Sequence, residues 1–338
     1  MSFPGFLNFS FAEAGAAMLC RVADSLFWMS RYLERAENQA RFIDVTSHIA
    51  LGYRGREDVL WSSLLHAGGD VECFQERYDR PTRKNVIDYL LFNRANMNSV
   101  LSCLTAAREN ARSVRENLTT PMWEAVNRFY LRVRQAAVQS QQVVSQPHPF
   151  LDQIKRSAHQ VLGVTEATWS QGEAWQFSRL GYQLERADKT SRILDVKYFL
   201  LKPGAAGVGV GSQLDVVQWA SLLESTGALQ MYRRSFGRIQ PVNVVDFLVL
   251  NPDFPRSLRF CTRRALDSLR AISGNTQCVP ANVAEQLTAD ALQELEQTQA
   301  GELLERGLHE YVDRFQTRLN DIGGAVAETF FRLHVEVS

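Results

Sequence analysis

RYLERAENQARFIDV (31–45) and YQLERADKTSRILDV (182–196) are one pattern written twice. Seven of the fifteen positions agree at an offset of 151: Leu33/Leu184, Glu34/Glu185, Arg35/Arg186, Ala36/Ala187, Arg41/Arg192, Asp44/Asp195 and Val45/Val196. Working outward, WSSLLHAGG (61–69) matches WASLLESTG (219–227), and NVIDYLLFN (85–93) matches NVVDFLVLN (243–251), both at an offset of 158. Ser99, Cys103, Ala107 and Arg112 then match Ser257, Cys261, Ala265 and Arg270. Collinear matches of this kind are the signature of an internal repeat. The change of offset falls at KPGAAGVGVGS (202–212), a glycine-rich stretch where an insertion is easily tolerated.

The period inside the repeat is helical. Leu26, Met29, Leu33, Ala36, Ala40 and Ile43 share one helix face. VNVVDFLVL (242–250) could pass for a strand, but its match to KNVIDYLLF (84–92) argues for a helix. Prolines mark the joints: Thr120-Pro121, Arg80-Pro81 and Val279-Pro280 can open helices, and Pro147-His148-Pro149 breaks the chain near its middle. The expected fold is all-α: a tandemly duplicated helical bundle with halves related by a pseudo-two-fold axis. Residues 18–145 and 150–338 are the two repeats, packed as one unit, and 1–17 form a poorly ordered extension with Met18 as an alternative start.

The 338 residues carry 37 basic and 37 acidic side chains, so no global positive field favours nucleic acid. No apolar run is long enough for a membrane span. Five scattered cysteines without a CxxC pair fit a reducing, cytoplasmic setting.

The repeated block is unusually polar for a helix with an apolar face. Glu34, Asn38, Arg41 and Val45 lie along one stripe, with Glu37 and Asp44 beside it. Glu37→Arg41 is an i,i+4 ion pair and Arg41→Asp44 an i,i+3 pair. Glu185, Asp188, Arg192 and Asp195 repeat the arrangement. Solvated pairs contribute only about 0.3–0.5 kcal/mol each, which would hardly hold these identities in both copies while Asn38/Lys189 and Gln39/Thr190 diverged. A buried network with Arg35 and Arg186, packing half against half, is the leading reading. A ligand-binding surface is the second and a plain solvated face the third. Asp88 and Asp246 form another retained pair, each inside an apolar helix and expected to need an arginine partner. Asn93 and Asn251 read as helix ends, and Trp61 and Trp219 as apolar anchors. The six histidines show neither metal spacing nor counterparts between the copies, and GVGVG (207–211) lacks the preceding strand of a dinucleotide site.

Met18-Leu19-Cys20-Arg21-Val22-Ala23-Asp24-Ser25-Leu26-Phe27-Trp28-Met29, followed by Arg31-Tyr32-Leu33-Glu34-Arg35-Ala36-Glu37-Asn38, resembles the opening of the bacterial alpha-E domain family (domain of unknown function 403). The stretches 106–116, 122–127 and 184–188 agree with it as well. The resemblance implies a helical protein encoded with a circularly permuted ATP-grasp protein, often with a transglutaminase-like protease, in systems that make or process peptides or amide-linked products. By the same resemblance Glu34 and Glu185 are the characteristic glutamates.

Three functions follow as expectations. The first is a non-catalytic binding or scaffold subunit of an ATP-grasp amide ligase, a homo- or hetero-oligomer positioning the ligase or its peptide or amino acid substrate. It would need no cofactor of its own, with ATP and magnesium held by the ligase. The second is an enzyme whose Glu34 and Glu185 form an acid–base couple in a cleft between the repeats, with arginines holding an anionic substrate. The third is a self-assembling structural protein.

Overall fold

The computed structural model describes residues 18–52, 57–201, 213–277 and 279–332. The extension 1–17, the glycine-rich stretch 202–212 and Cys278 lie outside them. The described chain is built of helices, with no strand among them. Its first eight α-helices are α1 (Cys20–Gly52), α2 (Glu57–Gly68), α3 (Val71–Gln75), α4 (Arg83–Leu91), α5 (Val100–Ser113), α6 (Thr120–Val138), α7 (Ser140–Ser145) and α8 (His148–Thr168). The next eight are α9 (Glu173–Leu201), α10 (Gln213–Ser225), α11 (Leu229–Phe236), α12 (Pro241–Val245), α13 (Leu258–Ser273), α14 (Val283–Gln297), α15 (Ala300–Arg306) and α16 (Leu308–Val326). The stretch 242–250 is helical as expected, although α12 continues as a π-helical turn over Asp246–Leu250.

Packing follows the same order twice. The two longest helices, α1 and α9, make the most extensive contact in the molecule. Helix α1 is flanked by α5, α8 and α10; α9 is flanked by α13, α16 and α2. Thus α2 and α10 each reach across to the central helix of the other half. The break at Pro147–Pro149 does not divide the packing, because α8 beyond it lies on α1 and α6.

Local rules explain the joints. Ser99 and Ser257 cap α5 and α13, their hydroxyls accepting from the backbone N–H of Ser102 (3.2 Å) and Phe260 (3.0 Å). Helices α2 and α10 both end on glycines of positive φ, Gly69 (73°) and Gly227 (71°), a backbone conformation that side chains with a Cβ resist. The prolines sit slightly off their expected places. Thr119 rather than Thr120 caps α6, while Pro81 and Pro280 precede the caps Thr82 and Asn282.

The two central helices meet through small residues. Ser30 and Ser178 hydroxyls are 2.7 Å apart and buried. At Gly181 a Cβ would run into the Phe27 backbone, 3.2 Å from its Cα and closer still to its carbonyl. This close approach brings the polar stripes of α1 and α9 together.

Candidate functional site

Where α1 and α9 cross, each glutamate of the repeated Leu-Glu-Arg-Ala block meets the other copy's arginine. Arg35 donates from Nε and Nη2 to the two oxygens of Glu185 (2.6 and 3.0 Å). Arg186 donates from Nε and Nη2 to those of Glu34 (3.0 and 3.2 Å). These forked pairs match guanidinium geometry to carboxylate geometry, which lysine could not do. Glu34 and Glu185 are 1% and 0% exposed, so a buried network, not a solvated face, is what the repeated block forms.

The exchange continues one turn on. Arg41 holds Glu37 (2.5 Å) and donates to the Ser225 carbonyl at the end of α10. Arg192 holds Asp188 (3.0 Å) and donates to the Ala67 carbonyl (3.2 Å) at the end of α2. Each guanidinium thereby satisfies a carbonyl left open where a helix of the opposite half terminates.

A further turn on, the expected Arg41–Asp44 pair does not form. Asp44 is held by Lys155 (2.9 Å) and His148 (3.4 Å) from α8. Asp195 is held by His309 (2.9 Å) and Gln316 (3.0 Å) from α16. His148 and His309 therefore do have matching roles, at an offset of 161. Asp88 also departs from expectation. It is half-buried, and it accepts from the Tyr78 hydroxyl (2.8 Å) instead of an arginine. At its match Asp246 the tyrosine's position is taken by Phe236, and burial pushes the Asp246 carboxyl up.

Charge decides the chemistry available. Burial alone would raise the Glu185 carboxyl, but Arg35, Lys189 and Arg31 outweigh it and hold the group well below the usual carboxylate range. Glu37 is likewise held well below that range by Arg256 and Arg41 against its burial. Asp188 is lowered by Lys189 and Arg192 despite burial. These carboxylates stay ionised and anchored. Glu34 and Glu185 are each bridged by the opposite helix's arginine and only Glu34 reaches the cleft, so the geometry does not pair them in one open pocket as an acid–base couple would need. The Cys103 and Cys261 thiols are buried, and burial pushes both up to about 12, which disfavours the thiolate at these two positions.

Several members of the network escaped the sequence reading. Arg256, in the loop before α13, donates to Glu34 (3.0 Å), Asn38 (3.2 Å) and Glu37 (2.9 Å). Its match is Asn98, which instead accepts from Arg35 (2.9 Å). On the Glu185 side Arg31 (2.8 Å) and Lys189 (3.4 Å) supply the extra cations. Position 31 matches Tyr182 and position 189 matches Asn38. The only available signal was this complementary exchange of residue types, visible once the pairs are known to meet.

Those exchanges leave the two sides different. Over Glu185, Arg31 stacks on Trp28 (4.9 Å) and Trp28 packs on Tyr32 (5.5 Å). Over Glu34 a cleft of about 480 Å³ opens between α1, α6, α8, α9 and α13. Glu34, Glu37 and Arg186 reach its floor, Met29, Leu33 and Val126 line it with apolar surface, and Arg179 and Arg264 stand on its walls.

Known proteins place this architecture without naming a reaction. The uncharacterized proteins Mb2597 of Mycobacterium bovis and Rv2567 of Mycobacterium tuberculosis are each 23% identical over 278 residues, covering 76% of this chain. The match takes up 30% of either relative, so the chain spans less than a third of their length. No solved structure matches it. Residues 18–331 match a family described as a predicted alpha-helical domain with a conserved ER motif. The Glu34-Arg35 and Glu185-Arg186 pairs that tie α1 to α9 are two such ER sequences, and the chain belongs to this Alpha-E family.

Proposed function

We propose that this protein is a binding subunit that works beside an amide-forming ligase and does not itself perform acid–base chemistry. The observation that carries the reading is the locked state of the ER glutamates. Each is buried and bridged by the opposite half's arginine, so each serves to fix the two halves in one geometry. Buried ion pairs of this kind specify arrangement more than they add stability. We read the matched helices and matched contacts as the product of tandem duplication. The frame so fixed holds a cleft over Glu34, whereas Arg31, Trp28 and Tyr32 lie over Glu185.

The ligase is the ATP-grasp protein that the family resemblance implies, which would bring ATP and magnesium. A transglutaminase-like protease of the same system is a further candidate partner. That the matching region is under a third of the mycobacterial relatives supports a module that operates with other domains.

The test is co-purification with the neighbouring ATP-grasp protein, followed by ATP turnover with candidate amino acids, with and without this chain. Folded Glu34→Gln and Glu185→Gln variants enter the same assay. A stable complex whose turnover needs the chain and survives both substitutions is the expected result. Turnover lost in variants that still fold and still form the complex would move the glutamates into the chemistry. Failure to form any complex would leave a self-assembling helical protein as the better description.

A further inference from the structure

Helix α9 presents a row of unlike groups to the cleft. Trp175, Arg179, Tyr182, Gln183 and Arg186 all line it, at the i, i+3/i+4, i+7 spacing of one helical face. The row from Arg179 to Arg186 is about 10 Å long at the helical rise, the reach of a short peptide.

Two members of the row are unfinished. Gln183 is 8% exposed and its Oε1 is buried without a hydrogen-bond partner. A carboxamide left unpaired in a protein interior is costly, and an amide in a ligand is its natural complement. Arg179 stacks on Trp175 (4.8 Å) and has no ion pair among the described residues. Arg264, from α13, stands on the same cleft and stacks on Phe260 (5.1 Å), its only carboxylate contact among the described residues being Asp267 at 3.5 Å.

Counting imidazoles as neutral, the two networks carry matched charge, and the cations of the cleft stand outside them. Around Glu185 four cations (Arg31, Arg35, Lys189, Arg192) face four carboxylates (Glu185, Asp188, Asp195, Asp70). Around Glu34 four cations (Arg41, Arg186, Arg256, Lys155) likewise face four (Glu34, Glu37, Asp44, Asp152). Both networks balance, so Arg179 and Arg264 are cleft cations beyond them, with Glu166 as the further carboxylate on the lining. On the closed side the positions matching Arg179, Tyr182 and Gln183 are Trp28, Arg31 and Tyr32, which cover Glu185 with the protein's own side chains.

We propose that the Glu34-side cleft binds a short peptide or N-acyl amino acid through its free carboxylate. Arg179, with Arg264 beside it, takes the carboxylate, Gln183 pairs with the ligand amide, and the apolar side chain enters the Met29–Leu33–Val126 floor. A volume of about 480 Å³ suits a ligand of that size. This deepens the binding-subunit reading by naming the class of molecule the subunit would hold.

The experiment is calorimetric titration of the full chain with acetyl-Ala-Leu, its C-terminal amide, 4-methylpentanoate and inorganic phosphate. The free acid should bind. Its C-terminal amide should bind at least about tenfold more weakly, the scale of one lost charge-assisted hydrogen bond. Methylpentanoate, which lacks the peptide amide, should be weaker still, and phosphate should not displace the acid. Arg179→Gln and Gln183→Leu, each checked for an unchanged melting temperature, should each weaken the acid and leave the residual binding of its amide form less affected by Arg179→Gln. Equal binding of acid and amide, full-strength binding by both folded variants, displacement by phosphate, or no binding by the wild-type chain would each overturn the assignment. Co-purification with the ATP-grasp protein is scored in parallel. A complex that forms while the probes fail removes the cleft inference and leaves the binding-subunit reading. Probe binding without a complex does the reverse for the ligase partnership.

Discussion

Glu34 and Glu185 occupy matched positions on α1 and α9 and share the same forked bond to the partner helix's arginine, yet one lies beneath a cleft and the other beneath the protein's own side chains. The difference rests on few substitutions. At the position where the closed side has Arg31, the open side has Tyr182, and Arg256 takes over from Lys189 as the extra cation. A symmetric frame with one face sealed and one face open shows how a repeated architecture can keep its stabilising network in duplicate. Only the Glu34 copy lies beneath a cleft.

The largest expected effect tests the sealed side. Glu185→Ala would strand Arg31 and Arg35 in the interior and leave Lys189 with Asp188 alone, a loss of about 3–5 kcal/mol by the behaviour of broken buried pairs. Glu34→Ala should cost less, because water entering the cleft can solvate Arg186. Urea denaturation of both variants measures the gap, and equal losses would mean that the two sides are energetically alike. The same charges set the acid response. Glu185, Glu37 and Asp188 are all held below their ordinary pKa when folded, so their stabilisation is complete above the usual carboxylate range. It fades as pH falls through their lowered values. Stability should therefore decline from about pH 5 downward, and Glu185→Gln should flatten that decline. A decline of unchanged steepness in Glu185→Gln would place the acid sensitivity elsewhere.

Next comes the crossing that positions both sides. Gly181→Ala drives a methyl group into the Phe27 backbone, and a displacement of α9 from α1 should cost about 1–3 kcal/mol. Ser30→Ala at the matching position only removes the hydroxyl contact with Ser178, worth about 1 kcal/mol. A thermal melt in which Ser30→Ala is the worse variant would show that the helices have room to separate at Gly181.

The frame was legible in the sequence and the asymmetry was not, for a physical reason. The ER pairs repeat because both ends of a reciprocal bond must be kept, so Glu34, Arg35, Glu185 and Arg186 stand out in a self-comparison. Arg41 and Arg192 repeat for the same reason, each closing a helix of the other half. Arg256 has no such mark. It compensates for Asn38 and Tyr182, residues distant from it in sequence, and its match Asn98 has a different task. The correspondence of α8 with α16 was hidden because these outer helices keep few identities, among them His148/His309 and Asp152/Asp313. Asp88 was misassigned because a carboxylate in an apolar helix suggests an arginine, whereas half-exposure lets a tyrosine hydroxyl suffice.

The smallest effect concerns that last pair and sharpens the comparison away from the cleft. Tyr78 stacks on Phe74 (4.8 Å) and reaches Asp88; Phe236 packs on Tyr232 (5.2 Å) at the matching place but has no hydroxyl to offer Asp246. Burial raises the Asp246 carboxyl, so its ionised form is the disfavoured one. By linkage, its contribution is most favourable below the ordinary aspartate pKa and is lost as pH rises through the raised value. Phe236→Tyr would supply the missing donor to the ionised form. The expected gain is about 0.5–1.5 kcal/mol at neutral pH, shrinking in acid as Asp246 takes up its proton. Tyr78→Phe should show the mirror-image loss. Melting temperatures of the two variants at neutral and acidic pH make the measurement, and a gain independent of pH would mean that the new hydroxyl bonds something other than Asp246.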